Sequence, residues 1–142
     1  MTINQISVFL ENRVGQLAQV CKVLAENDIS LVTLSLAETQ DFGIARLIVD
    51  NHEKAETVLR TNKFLVKTTP VVAVTVPDRP GGMSQVVSTL SEKGCDIEYS
   101  YAFAFNNNEK AVLVFRFKDD KAALSVLAEA GFTTLNENQI AP

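Results

Sequence analysis

The sequence predicts an α+β chain built from two copies of a βαββαβ unit, each an antiparallel four-stranded sheet with two helices on one face. Two observations carry this. The chain repeats itself, and within each copy the apolar spacing alternates between period two and period 3.6 in the same order. Val8, Arg13, Gly15, Gln19, Val20, Leu24 and Glu26 recur 66 positions later as Val74, Arg79, Gly81, Gln85, Val86, Leu90 and Glu92. Ala55, Val58, Leu59 and Phe64 recur 68 positions later as Ala123, Val126, Leu127 and Phe132. The two extra residues are expected at a hairpin tip near Asn106-Asn107-Asn108. Two copies of about 70 residues make a duplicated small domain and not a solenoid, whose stacking needs more repeats. The expected domains are 1–69 and 71–142, joined only by Pro70.

In the first copy, Gln5–Leu10 alternates apolar and polar residues and reads as a strand. Leu17, Val20, Cys21 and Leu24 then fall at helical spacing, giving a helix over Gly15–Asn27 with Lys22 and Glu26 on its far side. Ser30–Ala37 and Gly43–Val49 read as strands, with turn chemistry in Asp41-Phe42-Gly43. Asn51 is placed to cap a helix running through Leu59, and Phe64–Thr69 closes the unit. The second copy repeats the order: strand Val71–Val76, helix Gly82–Lys93, strands Ile97–Phe105 and Lys110–Phe117, helix Asp119–Ala130 capped at Asp119, strand Phe132–Asn136. This is the split-βαβ, ferredoxin-like arrangement. Ile44–Val49 and Val112–Phe115 are apolar on both alternating faces, which predicts cover on the face without helices, from the sister sheet or a second subunit, hence a possible homodimer.

Composition narrows the function classes. A net charge of −4, with no run of Lys or Arg, opposes a nucleic-acid partner, whose binding needs clustered cations. Apolar runs such as Val71–Val76 are too short to cross a bilayer, and Met1–Gln5 lacks the features of a signal peptide, so a cytoplasmic location without membrane contact is expected. Cys21 and Cys95 stand where the other copy has Val87 and Ile29, so each is expected as a buried thiol replacing a small hydrophobe, with no metal site and no cofactor. His52, the single histidine, is expected to be polar and exposed in a cap region. No nucleophile has a paired base and no glycine loop continues into a phosphate-binding Lys-Ser/Thr, so a catalytic site is not supported.

The stretches Asn12-Arg13-Val14-Gly15-Gln16-Leu17 and Asp78-Arg79-Pro80-Gly81-Gly82-Met83 resemble the first strand–helix loop of the ACT domain: Asp or Asn, Arg, Pro, Gly, any residue, Leu. The later positions Asp28-Ile29-Ser30-Leu31 and Gly94-Cys95-Asp96-Ile97 are similar to that family's turn into the second strand. The resemblance covers nearly the whole chain as a tandem pair. It implies a stand-alone regulatory module that binds a small ligand, usually an amino acid, between adjacent domains and acts in trans on an enzyme or regulator of amino-acid metabolism. The Glu11-Asn12-Arg13 stretch is similar to the serine-binding loop of phosphoglycerate dehydrogenase. By that likeness Asn12 and Ser30, or Asp78 and Asp96, would hold the effector, with Leu31 and Ile97 beside them. Val14 departs from the family's Pro, Ser30 and Asp96 from its Asn, and Leu10 from the His of the serine-binding case.

The chemistry of these loops agrees with the resemblance. A helix opening near Gly15 or Gly82 presents unpaired N–H groups to a carboxylate, and Gly15 and Gly81 let the backbone approach. Asp78, Asp96 or the Asn12 amide oxygen suits an ammonium group, and Leu31, Met83 and Ile97 supply apolar surface. About 1.5–3 kcal/mol per charged hydrogen bond is reasonable there. The plainer alternative makes Asn12 and Asp78 helix caps and Arg13 and Arg79 solvated surface groups. Two further readings stand beside ligand binding: a ligand-free protein-interaction module, and RNA binding through the aromatic stripe Tyr99, Tyr101, Phe103 and Phe105. The stripe has no basic glycine-aromatic partner strand, and its first-copy counterparts Thr33, Ser35 and Ala37 are small, which favours packing.

Overall fold

The structure, a computed structural model, describes residues 1–11, 13–38, 41–105 and 109–141. Asn12 and the expected hairpin tip Asn106–Asn108 lie outside the described residues. The elements run β1 (Ile3–Glu11), α1 (Gln16–Glu26), β2 (Leu31–Glu38), β3 (Phe42–Val49), α2 (His52–Thr61), β4 (Leu65–Pro77), α3 (Gly82–Glu92), β5 (Ile97–Phe105), β6 (Lys110–Phe117), α4 (Asp120–Glu129), β7 (Thr133–Leu135) and α5 (Glu137–Ile140). The chain divides into two compact units, Asn4–Thr69 with Ala141, and Pro70–Ile140 with Met1–Ile3.

The α+β order of helices and strands matches the sequence reading, but the sheets do not separate into two sets of four strands. Hydrogen bonding follows one path, β2-β3-β1-β4-β6-β5, with β7 also on β4. The strands expected as Phe64–Thr69 and Val71–Val76 are one strand, β4, which carries Pro70 in its interior. Proline removes only a donor and fits a strand where the ladder asks for none. The Pro70 carbonyl remains available and accepts from Arg116 Nη1 at 3.1 Å.

In the first unit, Ile6, Val8 and Leu10 of β1 pack with Val20 and Leu24 of α1, Leu47 of β3 and Leu59 of α2. β1 pairs antiparallel with β3, Leu10 opposite Gly43, and β2 pairs with β3 from Leu31 opposite Val49 to Glu38 opposite Gly43. In the second unit, Val72, Val74 and Val76 of β4 pack with Val86 and Leu90 of α3, Leu113 of β6 and Leu127 of α4. The stacked rings of Phe115 and Phe117, 5.4 Å apart, sit in the same core.

Several expectations are refined. The expected alternation of β1 gives way to near-continuous burial that includes Gln5 and Ser7, joined by a 3.1 Å bond from Gln5 Nε2 to Ser7 Oγ. Val112, Val114 and Ile48 are buried although they alternate with the residues that face the helices, as strands covered on both faces require. Cys21 and Cys95 are free and half-buried where full burial was expected. His52 is half-buried and lies 3.3 Å from the Asn4 side-chain amide. The strand expected from Gly43 begins one residue earlier, at Phe42, which belongs to β3 and not to the preceding turn.

Candidate functional site

Each β–α loop has the same backbone skeleton. Arg13 N donates to Glu11 O at 2.8 Å and Arg79 N to Pro77 O at 2.9 Å, folding the chain back as the strand ends. Gly15 and Gly81 follow with φ of 92° and 91°, in the left-handed region that favours glycine. The first helical bonds then form, Gln19 N to Gly15 O and Gln85 N to Gly81 O, both 3.0 Å. Neither helix start has a side-chain cap or an acidic residue in its first turn. By contrast, α2 and α4 are capped as the sequence indicates: Asn51 Oδ1 accepts from Lys54 N and Asp119 Oδ1 from Ala122 N, both at 3.1 Å. The cap role considered for Asp78 is therefore not what the structure shows; its backbone N–H donates to Glu109 O at 2.7 Å.

In the first loop, Arg13 Nε pairs with Glu11 Oε2 at 3.2 Å. With its amide oriented by the network, the Gln16 oxygen also accepts from Arg13 Nη2 and Nε at 3.1 and 3.2 Å. Both ion-pair partners are well exposed, so the pair positions Arg13 more than it stabilises the fold. Val14 is fully exposed, while Leu10 is buried and Leu17 leans on the core. Leu10, Arg13 and Gln16 line two depressions at this end of the unit. The larger, about 490 Å³, extends to Asp41 and Phe42 before and in β3 and to the α2–β4 turn at Asn62–Leu65. The smaller, about 210 Å³, includes Leu17 and runs along the end of β2 at Leu36–Glu38.

In the second loop, Asp78, Arg79, Pro80, Gly81 and Met83 are exposed and Gly82 is buried. Gly82 stands so close to the Pro77 carbonyl that a Cβ would collide with it. The depression beside this loop, about 250 Å³, is lined by Thr75, Val76, Pro77, Lys110 and Gly131–Thr133.

The strand-start residues lie elsewhere. Glu11 pairs with Phe42 and Leu31 with Val49, seven steps along β3, so at about 3.4 Å per residue they are about 24 Å apart. Ser30 is fixed at that far end, its N–H donating to Asp50 Oδ1 at 3.1 Å. In the second unit Pro77 pairs with Lys110 and Ile97 with Phe117, again seven steps. Asp96 forms an exposed ion pair with Lys118 at 3.2 Å, and with Ile97 it lines a separate depression of about 420 Å³ beside Val87 and Cys95. No single unit brings the loop and the strand start together.

The residues that the motif did not point to are Phe9, Gln19, Asp41, Phe42, Asn62, Lys63, Phe64 and Leu65, which complete the depression of about 490 Å³. A signal was present in the repeat: Lys63 and Leu65 stand opposite Gly131 and Thr133. The aromatic stripe Tyr99, Tyr101, Phe103 and Phe105 is half-buried along its length, which suits packing better than an open stacking platform. Among the described residues no cluster of His, Cys, Asp or Glu is placed to hold a metal, and no helix is long and apolar enough to cross a membrane.

A family model described as an ACT domain pair matches residues 1–142. Protein BT0572 from Bacteroides thetaiotaomicron is similar in structure at 40% sequence identity and a TM-score of 0.93, over 99% of this chain and 96% of that one. The ligand-free regulatory subunit of aspartate kinase from Thermus thermophilus matches at 16% identity and a TM-score of 0.62, over 90% and 91% of the two chains. The corresponding subunit from Thermus flavus matches at 15% and 0.61, over 89% and 91%. At such identities these two show the fold alone. No curated protein matches the chain. A duplicated βαββαβ order, two glycine-opened β–α loops and a family match over the full length place this chain in the ACT domain pair family, whose members are non-catalytic regulatory modules.

Proposed function

We propose that the chain is an effector-binding regulator that takes up an amino acid at its β–α loops and acts in trans on an enzyme or regulator of amino-acid metabolism. The observation that carries this is the contrast among the four long helices. The two that end a β–α loop start on a left-handed glycine without any side-chain cap, whereas α2 and α4 are capped by their own side chains. Uncapped N–H groups at a helix start, with the positive end of the dipole, favour a carboxylate. Since Ser30 and Asp96 lie far from the loops of their own units, they would serve only a ligand shared with a neighbouring copy of the unit, as in a homodimer. A regulated enzyme in trans is in keeping with the aspartate kinase regulatory subunits that share the fold. Ligand uptake would act by linkage, favouring whichever packing of units binds the ligand better.

A thermal-shift panel of the common amino acids at millimolar concentration tests the reading. A true effector at about 100 times its Kd adds about 2.7 kcal/mol, several degrees in Tm. A flat panel refutes amino-acid binding and leaves a ligand-free interaction module.

A further inference from the structure

The two units carry equivalent depressions at the same place, and their linings differ in charge and apolar character. In both, the floor is the end of the first strand and the aromatic residue after the second long helix: Leu10 and Phe64 in one copy, Val76 and Phe132 in the other. These positions keep their apolar character because they seal the core. The rim has diverged. Phe9, Phe42 and Leu65 of the first unit face Thr75, Lys110 and Thr133 of the second, and Glu11 faces Pro77. Lys63 faces Gly131, and Asp41, which lines the first depression, has its counterpart in Glu109, which does not line the second. The second unit folds with the same topology without any of these rim residues, so the fold does not demand them.

We propose that this first-unit depression is a binding pocket for a small zwitterion with an apolar side chain, one per chain, with Lys63 taking the carboxylate and Asp41 the ammonium group. The idea rests on the reading that the chain binds an amino acid, and names its class and stoichiometry. The volume, about 490 Å³, lies within the roughly 300–1,000 Å³ usual for small-molecule sites, and the 250 Å³ counterpart falls below it. Opposite charges from separate segments, Asp41 before β3 and Lys63 after α2, line one pocket. The cation at Arg13 is already engaged by Glu11 and Gln16, which leaves Lys63 as the charge for an incoming anion. The same lining holds Phe42 and Leu65, large hydrophobic side chains left 45% and 65% exposed. Apolar surface left open beside paired polar groups marks a ligand site.

Lys63 allows a clean test. It occupies the left-handed position, φ 68°, that closes α2, with its N–H donating to Arg60 O at 2.9 Å. Gly131 does the same for α4 at φ 82°. Lys63→Gly therefore removes the charge while keeping or easing the turn. Titration calorimetry of the full chain with leucine and phenylalanine, alongside 4-methylpentanoate, isoamylamine, serine, aspartate and lysine, reads the outcome. Expected is one site per chain for an apolar amino acid, weakened about tenfold or more by Lys63→Gly and by Asp41→Asn, with Tm of the glycine variant equal or raised. 4-Methylpentanoate and isoamylamine, each lacking one charge of leucine, are expected to bind at least tenfold more weakly than leucine. Binding of an amino acid that survives both substitutions, or that prefers aspartate or lysine, overturns the pocket while sparing the wider function. No binding by any of the amino acids in the wild-type chain overturns both.

Discussion

At the residue scale, the two loop glycines and their neighbour separate backbone strain from steric exclusion. A Cβ at Gly15 or Gly81 meets nothing within 4 Å, so the requirement there is the positive φ alone. Gly15→Ala and Gly81→Ala are expected to cost about 1–2 kcal/mol each in urea denaturation. Gly82→Ala is expected to cost more, because its Cβ runs into the Pro77 carbonyl and the loop must shift. Glu56 supplies a pH effect. The Thr68 hydroxyl donates to its carboxylate at 2.8 Å and Arg60 at 3.0 Å, and these bonds hold its pKa below the ordinary 4.5. A lowered folded value means the contribution is complete above pH 4.5 and is lost as pH falls through the folded pKa. Stability followed against pH should therefore decline less steeply below 4.5 in Glu56→Gln than in the parent chain.

At the element scale, the four long helices begin in two ways and end in one. Each ends on a left-handed residue, Asp28, Lys63, Gly94 or Gly131, and the residue after it donates back into the last turn: Ile29 to Leu24, Phe64 to Leu59, Cys95 to Leu90, Phe132 to Leu127. The second copy uses glycine at both positions and the first copy uses neither. Asp28→Gly is therefore expected to stabilise the protein by up to about 1 kcal/mol, measured as a higher denaturation midpoint. At the opposite ends, Asn51→Ala and Asp119→Ala are each expected to cost about 1 kcal/mol through loss of the cap. The short α5 escaped the sequence reading, although its signal was there: Asn136 and Gln139 cap each other reciprocally, at 3.0 and 2.8 Å.

At the scale of the whole molecule, β4 carries residues of both units. Leu65–Thr69 belongs to the first unit and Pro70–Pro77 to the second, on one uninterrupted strand. Leu59 and Leu127, equivalent by the repeat, are each fully buried. Leu59→Ala and Leu127→Ala are each expected to cost about 2–5 kcal/mol. Because neither unit keeps its strand count without β4, both variants should show a single shifted transition by circular dichroism, and two separated transitions would show the units to be independent.

Sequence alone determined the duplication, the order of long elements, the caps at Asn51 and Asp119 and the glycine-opened loops. These depend on local chemistry: spacing of apolar residues, a side chain able to accept a nearby N–H, and a φ that only glycine adopts without strain. Tertiary structure decided the rest. That β4 runs through Pro70 depends on which of its groups a neighbouring strand needs, which no local pattern records. That Ser30 and Asp96 lie a strand's length from their loops follows from antiparallel register, which sends the start of one strand to the far end of the next. The joining of Asp41, Phe42 and Lys63 around one pocket is likewise a product of packing, since residues distant in sequence meet only where β3 and the α2–β4 turn reach the same edge of the unit.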